Sequence, residues 1–269
     1  MLKKTRITAL YFSLLTFSAH NYADVPSEST ALHQSNFYKS CSEATMAQLN
    51  KVETFHQEFL GGESDCIVID NTHVLLATSQ AVHDDSFETT AYDLRVRLIN
   101  LQNNKIITQT LRPKHLNSRV EERETIFFDK AHFSTLAGQH VIGIRHSWED
   151  FDGFNSTSEY IDLVHLKPNH TMRFVLQGLP MRETFYAKGE CPSNQATWGA
   201  EINSLLILDK KVSHGLQDLI FKQRYTHNEA HKESGCKPTK SVHNESFRIS
   251  FNGQEYPFDP VDFNQIDVI

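Results

Sequence analysis

An alternation of apolar and polar residues with a period of two dominates the chain after Cys66. In Tyr92–Asn100 the residues Leu94, Val96 and Leu98 fall on one face of an extended strand. A polar turn at Gln102–Asn104 follows, and Lys105–Leu111 returns. This pattern predicts an antiparallel β-hairpin.

The hairpin plan recurs along the chain. Residues 73–113 and 140–180 align without a gap at an offset of 67, and a looser third unit spans 202–258. Each unit consists of strand, polar loop, strand, tight turn and strand. We therefore predict a mainly β fold of antiparallel meander sheets with one N-terminal helix, arranged either as a blade-like partial propeller or as a sandwich. Unrelated antiparallel hairpins are the alternative to a true repeat.

The first 23 residues have the layout of a signal peptide. Three basic residues, Lys3, Lys4 and Arg6, precede an apolar run from Ile7 to Ala19, and Ala23 offers a small residue for cleavage. The run is shorter than the ~20 residues that a spanning helix needs. We expect a periplasmic or secreted protein without a membrane span after cleavage, although an uncleaved anchor is the alternative. Residues 24–39 are polar and predict a flexible lead-in.

A helix is predicted over residues 41–60, at the start of a single β-rich domain that extends over 40–269. Ser40 and Glu43 form a capping-box pair, and apolar residues follow at helical spacing. The pair Gly61-Gly62 then ends the helix.

Four cysteines stand in the chain: Cys41, Cys66, Cys191 and Cys236. An even number of cysteines in an exported protein predicts two disulfides. Three pairings are possible, and we favour Cys41–Cys66 with Cys191–Cys236 because each pair brackets a compact stretch of chain.

The net charge argues against a nucleic-acid partner. The chain carries −7, and removal of residues 1–23 takes away the charges of Lys3, Lys4 and Arg6 but no acidic residue, which leaves −10. Such a surface repels phosphate backbones. A protein partner from the envelope or the secreted fraction is compatible with this charge, and the sequence does not indicate an oligomeric state.

No motif predicts catalysis, a metal or a cofactor. The chain has fifteen histidines, yet His227 and His231 lack the H-E-x-x-H arrangement of a zinc-binding helix. The pattern G-x-S-x-G does not occur, and Ser234–Lys237 matches S-x-x-K without its partner motifs. We therefore assign no catalytic residue, no metal ligand and no cofactor from the sequence.

Two acidic loops are the best candidates for a binding surface. The two loops occupy corresponding places in the first two repeat units, and Asp85 aligns with Asp152. With the adjoining aromatic, the candidate residues are Asp84, Asp85, Trp148, Asp150, Asp152 and Glu159. The second loop partly matches a calcium-binding loop, but Trp148 stands where the first carboxylate is needed. An ordinary acidic turn is the alternative.

Three strand-like segments carry a resemblance: Tyr92–Leu98, Gly143–Trp148 and Phe174–Leu179. Together they resemble a loose group of secreted or periplasmic bacterial proteins to which no activity is assigned. The resemblance covers residues 73–260. It implies a location in the bacterial envelope and supplies no catalytic residue.

These observations favour a non-catalytic protein-binding module of the periplasm, such as an inhibitor or immunity protein against an envelope-acting toxin or hydrolase. An envelope structural or assembly factor is the second hypothesis. A secreted hydrolase whose site is assembled from distant residues is the third, and clustered histidines or two carboxylates facing each other across a cleft would favour it.

Overall fold

Twelve strands and one short helix are present in the part of the chain that the structure describes. This computed structural model describes residues 38–51, 63–82, 89–119, 123–136, 138–150, 156–187, 197–230 and 238–258. In chain order the elements are β1 (Lys39–Ser40), α1 (Glu43–Asn50), β2 (Ser64–Val68), β3 (His73–Val82), β4 (Thr89–Asn100), β5 (Lys105–Arg119), β6 (Arg123–His132), β7 (His140–Asp150), β8 (Ser156–Leu166), β9 (Met172–Ala187), β10 (Thr197–Ser213), β11 (Leu216–Ala230) and β12 (Pro238–Ile249).

The strands form two antiparallel sheets, which confirms the prediction of a mainly β fold with one helix. Strands β1 to β5 make a five-stranded sheet in chain order, and β6 to β12 make a seven-stranded sheet in chain order. The three predicted units correspond to β3–β5, β7–β9 and β10–β12. The second and third units are joined by pairing of β9 with β10. They are therefore parts of one sheet rather than separate blades, and the arrangement is a sandwich.

The first core lies between the two sheets. Leu94, Val96 and Leu98 of β4 are buried in it, as the alternation predicts. From the seven-stranded sheet, Ile144 of β7 and Val164 of β8 pack against them. Because apolar residues of both sheets share this cluster, its burial holds the two sheets face to face.

A second core covers the opposite face of β7 and β8. Ile161 and Leu163 of β8 pack there with Phe221 of β11 and Phe251 beyond β12. Strands β8 and β11 belong to one sheet and yet share this cluster, so the seven-stranded sheet curls over itself. Packing is tight at Gly143 of β7, where an added Cβ would lie 2.8 Å from Ile161 Cδ1.

The helix begins two residues later than the capping-box pattern predicts. Ser42, rather than Ser40, is the N-cap residue, and its Oγ accepts a hydrogen bond from the Thr45 backbone N–H at 3.2 Å. Ser40 is instead held extended in β1, where it pairs with Ile67. Leu49 of the helix is fully buried against the outer face of the five-stranded sheet. The remainder of the predicted helix, residues 52–60, lies outside the described residues.

The predicted Cys41–Cys66 disulfide is present. Its Cα atoms are 5.3 Å apart, and the Cys41 N–H donates to the Cys66 carbonyl at 2.9 Å. The bond links the residue before the helix cap to β2, so it clamps α1 to the first sheet. The predicted partners Cys191 and Cys236 lie outside the described residues.

Other predicted segments also fall outside the described residues, namely the signal peptide and most of the lead-in (1–37), the acidic loop segments 83–88 and 151–155, and the tail 259–269. The described chain starts within the predicted lead-in, at Tyr38, whose side chain is buried in the first core. The described residues contain no helix long and apolar enough to cross a membrane.

We expect the double variant Cys41→Ala/Cys66→Ala to lower the free energy of unfolding by ~3 kcal/mol, because the bond closes a sequence separation of 25 residues. Urea denaturation monitored by circular dichroism measures this loss. Ser42→Ala is the matched control, since it removes only the helix cap and should cost ~1 kcal/mol. Equal losses in the two variants would contradict a clamping role for the disulfide.

Candidate functional site

A group of ionisable side chains lies buried between the two sheets. It sits at the end of the sandwich where β3 and β7 finish and β6 begins. We name this group the buried polar cluster; its members are Ser79, Arg112, His115, Glu124, His146 and Asp162. They come from β3, β5, β6, β7 and β8. Their proximity therefore depends on the packing of one sheet against the other.

His115 and Glu124 form the centre of the buried polar cluster. The His115 Nε2 atom lies 2.6 Å from Glu124 Oε1, and the two side chains are 0% and 3% exposed. The second ring nitrogen, Nδ1, donates to the Tyr92 carbonyl at 2.7 Å. The Ser79 hydroxyl donates to Glu124 Oε2. Both side chains are thus fixed in position by groups of the five-stranded sheet.

His146 completes this part of the cluster from the seven-stranded sheet. Its ring is stacked on that of His115, with centroids 5.2 Å apart. Its Nε2 atom is buried and has no hydrogen-bond partner among the described residues. The Asp162 Oδ2 atom lies 3.5 Å from this nitrogen, which is the distance of an ion pair rather than of a good hydrogen bond. Ligand atoms of His115, Glu124 and His146 all lie within 4.8 Å of one another.

Asp162 is fully buried and strongly paired. The Arg112 guanidinium donates to both carboxylate oxygens, at 2.5 Å for Oδ2, and the Gly178 N–H donates to Oδ1 at 2.6 Å. Burial acts to raise the pKa of Asp162, but His146 and Arg112 outweigh it and hold the pKa below its usual value. Gly178 has φ +67°, and a Cβ there would lie 3.3 Å from Arg112 Nη2. Glycine thus allows both the turn of the backbone and the approach of the guanidinium.

An aromatic pair adjoins the cluster. Trp148 and Tyr160 stack with centroids 4.9 Å apart and nearly parallel planes. The Tyr160 hydroxyl donates to Glu183 Oε1 at 2.5 Å. Burial raises the pKa of Glu183 and of Tyr160 above their ordinary values. Since Tyr160 pairs with His146 across β7 and β8, the pair lies directly beside the cluster on the same face.

A second set of histidines lies at the opposite end of the sandwich. We name it the histidine pocket; this depression of about 170 Å³ includes Asp70, His73, His140 and His170 in its lining. Asp70 Oδ2 lies 2.8 Å from His73 Nδ1. Burial acts to raise the pKa of Asp70, but hydrogen bonds from His73 and Thr72 lower it to about 2. Burial lowers the pKa of His140.

Of the six binding residues predicted from sequence, the structure describes the side chains of two, Trp148 and Glu159. Trp148 packs on Tyr160, whereas Glu159 forms an ion pair with Arg145 on the opposite face of the sheet. The side chain of Asp150, at the end of β7, is not described. Asp84, Asp85 and Asp152 lie outside the described residues.

The middle parts of β10, β11 and β12 form a further exposed surface. Ten consecutive residues of β12, from Thr239 to Arg248, are exposed, and β12 has no second strand neighbour in the described part of the sheet. Cross-strand pairing places one set of side chains on one face, which we name the open face: Asn203, Leu205, Lys222, Arg224, Val242, Asn244 and Ser246. Leu205 is 56% exposed there.

The buried polar cluster was not predicted from the sequence. Its residues follow no local spacing, because they are spread along the chain from Ser79 to Asp162. One feature of the sequence does indicate buried polar residues. His146 continues the apolar row of Ile142 and Ile144 on β7, and Asp162 precedes the row of Val164 and Leu166 on β8. An ionisable residue in such a row indicates a buried polar partner.

Comparisons with protein-family models, with curated proteins and with solved structures find no match. The resemblance of the three strand segments to secreted or periplasmic proteins stays a prediction.

We expect Asp162→Asn to lower the free energy of unfolding by ~3 kcal/mol at neutral pH, because it leaves Arg112 without its charge partner. The folded-state pKa of Asp162 is below its unfolded value, so the stabilisation is present above the unfolded value of 3.8 and is lost as the pH falls below it. Urea titrations between pH 7 and pH 3 should therefore show a flatter acid dependence for the variant.

Asp209→Asn is the control for this substitution. Asp209 also pairs with an arginine, Arg248, but at the surface, so its replacement should change stability little. A loss as large as that of Asp162→Asn would show that burial is not what gives the inner pair its importance.

Proposed function

We propose that the protein is an exported, non-catalytic module that binds another protein of the envelope or the secreted fraction. The observation that carries this proposal is the exposed β12 edge with the adjoining open face. Strand edges in monomeric proteins are normally short, covered or interrupted, because unpaired N–H and C=O groups invite another strand. An exposed row of ten residues is a suitable template for strand addition by an extended segment of a partner.

The side chains of the open face indicate the chemistry of that partner segment. Lys222 and Arg224 are exposed, and neither has an ion-pair partner among the described residues. Asn203 and Asn244 offer amide groups, and Leu205 offers an apolar contact. Together these side chains favour a partner whose extended segment is acidic or rich in amide side chains. One concrete form is an inhibitor or immunity protein that holds an exposed strand of a toxin or hydrolase.

The location supports this proposal. A signal-peptide pattern and the Cys41–Cys66 disulfide are both typical of a protein that matures in an oxidising compartment, such as the periplasm. An envelope structural or assembly factor would use the same edge and differs only in the identity of its partner.

A secreted hydrolase is the second candidate, because the buried polar cluster does bring two histidines and a carboxylate together. A substrate would have little access to these side chains. The side chains of His115, Glu124 and His146 are at most 4% exposed, and a catalytic group must touch its substrate. The binding function therefore agrees better with what is exposed.

We expect the mature chain, residues 24–269, to retain one stoichiometric protein from envelope and secreted fractions in a pull-down read by mass spectrometry. Leu205→Asp/Lys222→Glu should weaken retention at least tenfold, because it replaces the apolar contact and one cation of the open face.

Leu111→Asp/Lys105→Glu is the matched control. It makes the same changes on the exposed residues of β5 and should retain the partner. Circular dichroism of both variants verifies folding. Recovery of no specific protein by the unmodified chain would contradict the binding function, and equal retention by both variants would contradict the open face as its site.

A further inference from the structure

We propose that His115, Glu124 and His146 bind a divalent transition-metal ion, with Zn²⁺ as the best match. This inference goes beyond the binding function and does not depend on it. The three residues supply two imidazole nitrogens and one carboxylate oxygen, which are ligand types that zinc accepts in proteins.

The distances are close to those that an ion needs. Ligands of a tetrahedral zinc ion lie ~3.4 Å apart, since each stands ~2.0–2.1 Å from the metal. The donor atoms of the three residues lie within 4.8 Å of one another, and His115 Nε2 is 2.6 Å from Glu124 Oε1. Ligand positions ~3.4 Å apart therefore require this 2.6 Å pair to separate by about 0.8 Å and the longest donor separation to shorten by at most about 1.4 Å.

The outer contacts already orient the donor atoms. His115 donates from Nδ1 to the Tyr92 carbonyl, which directs Nε2 toward Glu124. Ser79 donates to Glu124 Oε2 and leaves Oε1 to face the two histidines. Metal-binding histidines and carboxylates are typically held by hydrogen bonds of this kind to a carbonyl or a hydroxyl group. The arrangement is therefore a built site rather than a chance group of polar side chains.

His146 gives an independent indication of a ligand. Its side chain is 4% exposed, and Nε2 has no hydrogen-bond partner among the described residues. A buried polar atom without a partner costs about 1–3 kcal/mol, so native structures rarely keep one. A metal ion shared by His146, His115 and Glu124 gives this buried imidazole a further partner. Asp162, 3.5 Å from it, supplies an outer negative charge.

The position of the three ligands also indicates what the ion does. His115 belongs to the five-stranded sheet, and Glu124 and His146 belong to the seven-stranded sheet. An ion bound by all three joins the two sheets. Because the ligands are buried, we assign the ion a structural role that stabilises the sandwich.

The test is Zn²⁺ binding by the untagged mature chain after treatment with a chelator. Isothermal titration should give one ion per chain with micromolar or tighter affinity, and Zn²⁺ should raise the melting temperature while Mg²⁺ should not. Glu124→Gln keeps the size of the side chain and should weaken Zn²⁺ at least about 100-fold, and Ser79→Ala about tenfold through loss of orientation. Co²⁺ added to the same chain should give visible absorption bands of a low-coordinate site that Glu124→Gln abolishes.

Two control variants separate this site from other histidines. His73→Ala alters the histidine pocket, and His165→Asn alters a buried histidine elsewhere on β8, so both should keep the affinity of the unmodified chain. Ser79→Ala carries the test if Glu124→Gln does not fold. Absence of Zn²⁺ binding below about 100 µM would overturn the proposal. Binding that Ser79→Ala and Glu124→Gln leave unchanged would also overturn it, and loss in His73→Ala alone would assign the ion to the histidine pocket.

Discussion

Burial of β7 and β8 on both faces is the constraint on which the rest of the structure depends. One face packs on the five-stranded sheet through Ile144 and Val164, and the other packs on the curled part of the same sheet through Ile161 and Leu163. A strand that is covered on both faces has no face on which a whole row of polar side chains can point to solvent. Each ionisable residue on such a strand must therefore find its partner inside the protein.

Two such residues show how differently the requirement is met. Arg145 of β7 reaches Asp129 and Glu159 near the margin of the sheet, where the three side chains remain partly exposed and keep some hydration. Asp162 of β8 lies deep between the sheets and needs both Arg112 and the Gly178 N–H. His146 Nε2 makes no hydrogen bond among the described residues, as is also true of His165 Nδ1 on β8, and its contact with Asp162 is an ion pair at 3.5 Å. At the centre of a well-paired cluster, a buried nitrogen without a hydrogen bond points to a ligand.

The sequence predicts the parts of this fold that depend on local pattern. Alternation identified β4, turn residues identified the end of the first hairpin, and the cysteines flanking the helix identified the clamp. The boundary of α1 was missed because Ser40 pairs with Ile67, a contact that the capping box does not include. The curl of the seven-stranded sheet and the meeting of His115 with Glu124 and His146 depend on packing between sheets, for which a single sequence has no local signal.

The buried polar cluster and the open face lie in different parts of the molecule. The side chains of His115, Glu124, His146 and Asp162 are shielded from solvent where the two sheets meet, whereas β12 and the open face carry exposed amide, cationic and apolar groups. In the proposed binding function, recognition and rigidity therefore belong to different parts of the molecule. A partner that adds a strand to β12 gains backbone hydrogen bonds from a sheet whose shape is set elsewhere, by the two cores and the cluster between them. In the proposed function such a template loses little conformational entropy on binding, because the sheet is stabilised from its centre.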